Sequence, residues 1–325
     1  MRLHENHELF ADALQAASRP IEDGGLGIRS VFIEKDYWIC RSLALMAAAD
    51  TAGRAIFKGG TSLTKAYGIG SRFSEDIDIA ISEAWTLSGN QLKMLIKKTA
   101  KNMTQGLAEM EMPGLTSKGS HYHKAYYSYP IANGMQQAGA VKAGQLLIEI
   151  NSFANPYPFK KCKLQSFLTD FLYKSGNGSL VEEYEMQPFE VNVLDYLRTL
   201  TEKLVSLVRC SLADNYMQEL SSKIRHFYDL YYLWQDEEVQ AYLQSGSFES
   251  DFVHLLTQDR QRFDRPTGWQ DREVSQSPLL TDWSATWATL CNTYTKELPD
   301  LAYMEIPGVG NIEDSMSKLF AFLPR

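Results

Sequence analysis

Two hydrophobic rhythms divide the chain. Over residues 5–18 and 31–48 the apolar positions recur at helical spacing, with Phe32, Tyr37, Trp38, Leu43, Leu45 and Met46 forming a broad apolar surface. A short apolar run, Ala55 to Phe57, then ends at Gly59-Gly60, and the following TSLTKAY reads as the first turns of a helix with Thr61 or Ser62 near its N-cap. The rhythm changes at DIDIAI, Asp76 to Ile81, whose strict alternation predicts a strand with two different faces. Residues 90–110 predict another helix. HYHKAYYSYP (His121 to Pro130) and GQLLIEINSF (Gly144 to Phe153) predict strands, the second with Leu147, Glu149 and Asn151 on one face.

NPYP at Asn155 to Pro158 breaks this pattern, and from about Val191 the sequence is mostly helical in period. NVLDYLRTLTEKLVSLVRC places Leu197, Leu200, Leu204, Leu207 and Val208 on one stripe, and KIRHFYDLYYLW predicts a second such helix. Further helices are predicted near 250–262, 278–297 and 312–322, with a polar loop at Phe263 to Ser277. The fold class is therefore α+β: a mixed sheet flanked by helices over residues 1–170, then a mainly helical domain over 171–325. A chain of 325 residues is long enough for both.

Composition narrows the function classes. With 44% apolar and 22% charged residues the chain is that of a soluble globular protein. Its richest apolar run, Leu43 to Ala49, is too short to cross a bilayer, so no membrane is expected. MRLHENHELF carries charge and histidine where a signal peptide needs an uninterrupted apolar stretch, which points to the cytoplasm. Cys40, Cys162, Cys210 and Cys291 lie far apart without a CxxC spacing and are expected to be free thiols. A net charge of −8 argues against broad, non-specific nucleic-acid binding. Two local basic runs, Lys97, Lys98 and Lys101, and Lys160, Lys161 and Lys163, read by themselves as solvated charged faces.

The candidate chemistry lies in FKGGTSLTKAYGIGSRFSEDIDIAIS, Phe57 to Ser82. On a strand, Asp76 and Asp78 share one face about 6.5–7 Å apart at Cα, while Ile77, Ile79 and Ile81 pack the other. Two such carboxylates repel unless a cation lies between them, and Mg²⁺ prefers a few carboxylates plus substrate phosphate oxygens. An isolated DxD is more often a wet strand face. Gly59-Gly60 shifts the balance, because glycine at a strand-to-helix turn lets the backbone approach a ligand and the helix N-terminus offers N–H groups to phosphate. Glu149 supplies a third carboxylate if its strand lies beside Asp76 and Asp78, and three acids can hold two metal ions. His121 and His123 have no third ligand in spacing and read as structural or substrate-facing.

GG[TS] before a helix, a DxD strand and a later acidic strand resemble the nucleotidyltransferase fold of the polymerase β superfamily. FKGGTSL, RFSEDIDI, EKDYW at Glu34 to Trp38 and KIRHFYDLYYL at Lys223 to Leu233 resemble more specifically the AbiEii/AbiGii toxin family, which includes the MenT toxins. The likeness runs from about residue 31 to 235. It implies an N-terminal nucleotidyltransferase domain, a helical C-terminal domain and a site between them. By motif, Gly60, Thr61 and Ser62 would hold a nucleoside triphosphate, and Asp76 and Asp78 the metal. Lys203 would contact the phosphates, and Asp229 would position or deprotonate the attacking hydroxyl. Several members carry an acid where this chain has His226. Glu34, Lys35 and Asp36 would brace the cleft, Lys58 and Lys65 could contact phosphates, and Arg72 and Ser74 could order the loop.

The resemblance thus implies an Mg²⁺-dependent enzyme that transfers NMP from an NTP to an acceptor hydroxyl, the tRNA 3′ end above all. It would be the toxin of a bacterial toxin–antitoxin or abortive-infection system, with a cognate antitoxin. Transfer to a small molecule or a protein hydroxyl, and a non-catalytic nucleotide-binding role, are the competing readings. Without the resemblance, Lys203 is a routine solvated lysine, Glu34 to Asp36 a charged helix face, and Asp229 equally an intrahelical ion pair with Arg225.

Overall fold

The computed structural model describes residues 1–74, 76–132 and 142–324. They form two units, Met1–Gly68 with Phe73–Leu194, and Ile69–Arg72 with Asp195–Arg325.

In the first unit, α1 (His7–Ala17) starts where the Asn6 side chain accepts from the Leu9 N–H, an N-cap that removes one orphan donor. Helix α2 (Ser30–Ala49) is buried without a break from Val31 to Cys40, so Glu34, Lys35 and Asp36 lie inside the protein and are not a charged surface face. Strand β1 (Ala55–Lys58) leads straight into α3 (Gly59–Tyr67), and β2 (Asp76–Ile81) follows. Helix α4 (Gly89–Met103) begins with a capping box between Ser88 and Gln91. It stops seven residues short of the expected 110, because Ala108–Met110 forms the edge strand β3. Strands β4 (Ser117–Lys118), β5 (Tyr122–Ser128), β6 (Gln145–Asn151) and β7 (Phe159–Leu164) come next, then α5 (Phe167–Lys174), α6 (Gly178–Glu183) and β8 (Phe189–Leu194).

These strands make one mixed sheet in the order β3-β5-β6-β2-β1-β8-β7, with β4 on β5. The parallel pairs are β2 with β6 and β1 with β8. Ile77 pairs with Ile148 and Ile79 with Ile150, and all four are buried, so one face of the sheet is core. The expected boundary at residue 170 falls too early. Residues 189–194 pair with both β1 and β7, which ties the chain to the sheet as far as Leu194.

In the second unit, Asp195 caps α7 (Tyr196–Ser211), which buries Leu200, Leu204, Leu207 and Val208 of the expected stripe and leaves Leu197 half-buried. Short α8 (Tyr216–Ser222) precedes α9 (Ile224–Trp234), then α10 (Glu237–Leu243) and α11 (Gly246–Arg262). The expected helix over 278–297 is two, α12 (Pro278–Thr281) and α13 (Trp283–Leu301), broken at Asp282, whose φ of −155° is not helical. Phe227 of α9 stacks on Trp283 at 5.6 Å between ring centroids, and Trp283 meets Phe320 of α14 (Val309–Phe320) edge-on at 5.0 Å. These rings form the aromatic centre of the unit. No helix among the described residues is long and apolar enough to cross a membrane. All four cysteines are free.

Candidate active site

The turn from β1 to α3 differs from the expected one. Helix α3 begins at Gly59, with Lys58 in the N-cap position and no side chain capping it, so Thr61 and Ser62 lie inside the first turn. The reason is Gly59, whose φ of +83° swings the chain from strand to helix without intervening residues. The Thr61 hydroxyl donates to the Asp76 carbonyl at 2.6 Å, and the Ser62 hydroxyl to the Gly59 carbonyl at 2.8 Å. Both hydroxyls are buried and hold the turn in shape. What the turn presents outward is backbone N–H at a helix start.

Asp78 sits directly on this turn. In the β1–β2 register Lys58 pairs with Asp78, and a Cβ on Gly59 would lie 2.2 Å from Asp78 Oδ2. The space a side chain would occupy is thus filled by a carboxylate, which explains why glycine is needed here. Asp76 and Asp78 are both half-buried on the sheet face opposite the isoleucines. Asp78 pairs across to Glu149 in parallel β6, which meets the condition under which Glu149 joins the two aspartates. Burial and the Glu149 carboxylate, followed by Asp78 and Asp76, push the Tyr122 phenol upward, so all three acids act on one hydroxyl.

Glu149, however, is engaged by the protein. Tyr122 Oη donates to its Oε2 at 2.8 Å, and Lys124 Nζ lies 2.7 Å from its Oε1. Among the described residues no group of three or more His, Cys, Asp or Glu side chains comes together to hold a metal ion. The expected three-carboxylate set, Asp76, Asp78 and Glu149, does lie on neighbouring strands β2 and β6. Asp76 and Asp78 are hard oxygen donors that could hold a divalent ion, and Asp78 adjoins the Gly59 turn. Tyr122 and Lys124 hold Glu149 on that face, and neither contact was read from the sequence although Lys124 is its direct cross-strand neighbour. The histidines have separate partners: His121 Nδ1 is 3.2 Å from Ser152 Oγ, and His123 Nε2 is 3.1 Å from Tyr127 Oη.

Helix α2 braces the turn from behind. Asp36 Oδ1 lies 2.7 Å from Lys65 Nζ of α3, and Asp36 Oδ2 accepts from the Phe167 N–H at 2.7 Å. Burial by itself would lower the Lys65 ammonium, but the adjacent Asp36 carboxylate holds it charged and well above the usual lysine range. Lys65, expected among the phosphate contacts, is thereby placed in a buried pair and stacked 4.4 Å over the Phe167 ring. Glu34 Oε1 accepts from the Ala132 N–H at 2.6 Å, and Lys35 Nζ donates to the Lys142 carbonyl at 3.3 Å. Burial pushes the Glu34 carboxyl up to about 7, against the opposing effect of the Ala132 N–H. Lys58, Gly60 and Ser74 are half-buried. Glu75 of the RFSED motif lies outside the described residues.

The second unit holds its own charged cluster. Asp229 of α9 accepts from Arg72 in a two-pronged bond, Nε to Oδ1 at 2.6 Å and Nη2 to Oδ2 at 2.7 Å, and Lys203 Nζ lies 2.7 Å from Oδ2. All three are at least 94% buried. Burial works to raise the Asp229 carboxyl, yet Arg72 and Lys203 outweigh it and keep it far below the usual carboxylate range. Asp229 is thus partnered by Arg72 and Lys203, where the sequence suggested Arg225. The partnership brings residues 69–72 into this unit: Ser71 N–H donates to Tyr228 Oη at 2.9 Å, and Tyr303 N–H donates to the Ser71 carbonyl at 3.0 Å. His226 is held well below the ordinary imidazole value by burial, then by Lys203 and Lys223, and is neutral at pH 7.

A glycine turn at a helix start, bordered by two strand carboxylates, is the arrangement of a nucleotidyltransferase, and the comparisons with known proteins agree. The family model described as nucleotidyl transferase AbiEii toxin, type IV toxin–antitoxin system, matches residues 41–314. The chain belongs to that family, and it is a nucleotidyltransferase toxin of a type IV system. The match reaches well past residue 235, where the visible motifs end. Among solved structures the chain resembles MenT4, a nucleotidyltransferase toxin from Mycobacterium tuberculosis H37Rv, in fold. The TM-score is 0.57 at 15% identity, over 97% of this chain and 88% of that one. No curated protein matches the sequence.

Proposed function

We propose that the enzyme transfers a nucleoside monophosphate from an NTP to the 3′ hydroxyl of a tRNA, releasing pyrophosphate. The observation that carries this reading is the contact of Asp78 with the Gly59 turn, which sets phosphate-facing N–H groups and a carboxylate pair side by side. The bond formed joins the acceptor oxygen to the α-phosphorus, the bond broken joins that phosphorus to the bridging oxygen of pyrophosphate, and the hydroxyl proton leaves to solvent or a base. Asp76 and Asp78 would hold Mg²⁺, which when bound neutralises phosphate charge and lowers the pKa of the attacking hydroxyl.

The chain's own part is positioning and charge. Gly59 and Gly60, with the N–H groups of Thr61 and Ser62, cradle the triphosphate, and Lys58 adds a cation at the N-cap. By the family motif, Lys203, held against Asp229, is the residue proposed to contact the phosphates. Asp229 acts as a positioning residue, since a carboxylate held so acidic does not take a proton at neutral pH. The acceptor reading draws support from the edge strand β7, which packs on α3 and exposes Lys160 on one face and Lys161 and Lys163, beside Glu190, on the other. In a chain of net charge −8 this is a local basic surface for an RNA backbone. An antitoxin partner follows from the type IV assignment.

The test incubates the protein with total bacterial tRNA, Mg²⁺ and each α-labelled NTP in turn, with Asp76→Ala/Asp78→Ala as the control. Label on tRNA that the control loses supports the proposal. Label on protein or on a small molecule instead replaces the acceptor, and no transfer with any NTP or acceptor overturns the catalytic reading.

A further inference from the structure

On the other face of the same sheet lies a cavity of about 380 Å³ that the transfer site does not use. His123 pairs with Ile150, and Tyr127 with Leu146, so both point to the face of Ile77 and Ile79, away from Asp76, Asp78 and Glu149. Helix α4 covers this face and closes the cavity from the other side with Ile96 and Ala100. Lys97 and Lys101 of α4 and Lys118 of β4 stand at its opening, and of the lining acids Glu109 alone faces them, paired with Lys118.

We propose that this cavity is a second phosphate-binding site, for a nucleotide or nucleotide unit held apart from the transfer centre. Three arguments support it. Lys97 and Lys101 are four apart on one helix, a like-charge spacing that costs stability unless an anion lies between them. With Lys118 added and Glu109 subtracted, the lining carries two net positive charges. The buried floor offers a neutral imidazole and a phenol already bonded to each other, His123 being held below its ordinary pKa by burial and then by Lys118. Such a floor gives hydrogen bonds and ring faces to a base or ribose without adding charge, while the ammonium groups meet phosphate oxygens. The volume falls in the range of small-molecule pockets and exceeds what a bare phosphate fills. The phosphate can come from a free nucleotide or from an RNA chain, which offer the same chemistry.

The experiment compares the intact chain with Lys97→Ser/Lys101→Ser/Lys118→Ser by equilibrium dialysis in EDTA, using ADP, inorganic pyrophosphate and a single-stranded octaribonucleotide as probes. All three lysines are exposed, so the variant is expected to fold and to keep its transfer activity. One class of sites is expected to weaken by roughly tenfold or more. A loss for ADP and pyrophosphate identifies a free nucleotide as occupant, and a loss confined to the oligonucleotide identifies RNA. Equal binding of every probe by both proteins overturns the proposal. Asp76→Ala/Asp78→Ala, measured in parallel, is expected to retain this class of sites, and its disappearance there would assign the binding to the transfer centre and equally overturn the second site.

Discussion

Gly59 shows how one residue can be fixed by two independent demands. Its φ of +83° disfavours any side chain, and the place of its missing Cβ is filled by Asp78 Oδ2. Gly59→Ala is expected to destabilise the protein by roughly 1–3 kcal/mol and to displace the Asp78 carboxylate, read as a lower melting temperature together with lost nucleotidyl transfer. The Asp229 cluster calls for a different measurement. Removing the carboxylate leaves Arg72 and Lys203 buried without it, so Asp229→Ala is expected to lose roughly 3–5 kcal/mol. The sign of its pH dependence follows from the direction of its shift. A carboxyl depressed on folding contributes stability that is full above its unfolded pKa of about 3.9 and declines as the pH falls below it. Asp229→Asn is expected to flatten this acid limb in a pH series of denaturant melts.

At the scale of elements, the sequence was most legible where side-chain direction follows from position. DIDIAI alternates, so the shared face of Asp76 and Asp78 could be read from the sequence, whereas Glu149 joins it only through the register of β6 on β2. The glycine turn was legible as a turn but not in its cap, because only the backbone angle at Gly59 reveals that the helix starts there. Short β3 and β4 carry too few residues to show a period. The partner of Asp229 was beyond reach, since Arg72 lies 157 residues away and nothing local marks the pair. Helix α2 was misleading by itself, as buried Glu34, Lys35 and Asp36 look like a surface run until their partners are seen. That burial has a measurable effect. Glu34 titrates near 7 in the folded protein, above its unfolded value, so stability is expected to fall as the pH rises from about 4.5 through 7, by roughly 3 kcal/mol in all. Glu34→Gln is expected to remove that slope, which chemical denaturation at pH 5 and pH 8 would detect. On α9, Tyr228→Phe leaves the Ser71 N–H without its acceptor, and a loss of about 1–2 kcal/mol is expected in the same assay.

At the scale of the whole molecule, the division into units does not follow a single cut in the chain. Residues 69–72 belong with the helical unit although the chain on either side of them belongs with the sheet. A fragment spanning 195–325 therefore lacks Arg72 and is expected to melt at a lower temperature and less cooperatively than the intact protein, as followed by circular dichroism. An unchanged transition would show that the 69–72 segment contributes nothing to that unit. The same interleaving sets a schedule for synthesis. Parallel β1 must wait for β8 before the sheet can close, and Arg72 must wait for Asp229. A ribosome that stalls before Asp229 releases a chain bearing FKGGTSL and DIDI in full, yet without the carboxylate that anchors Arg72. In such a chain, possession of the motif precedes possession of the structure that supports it.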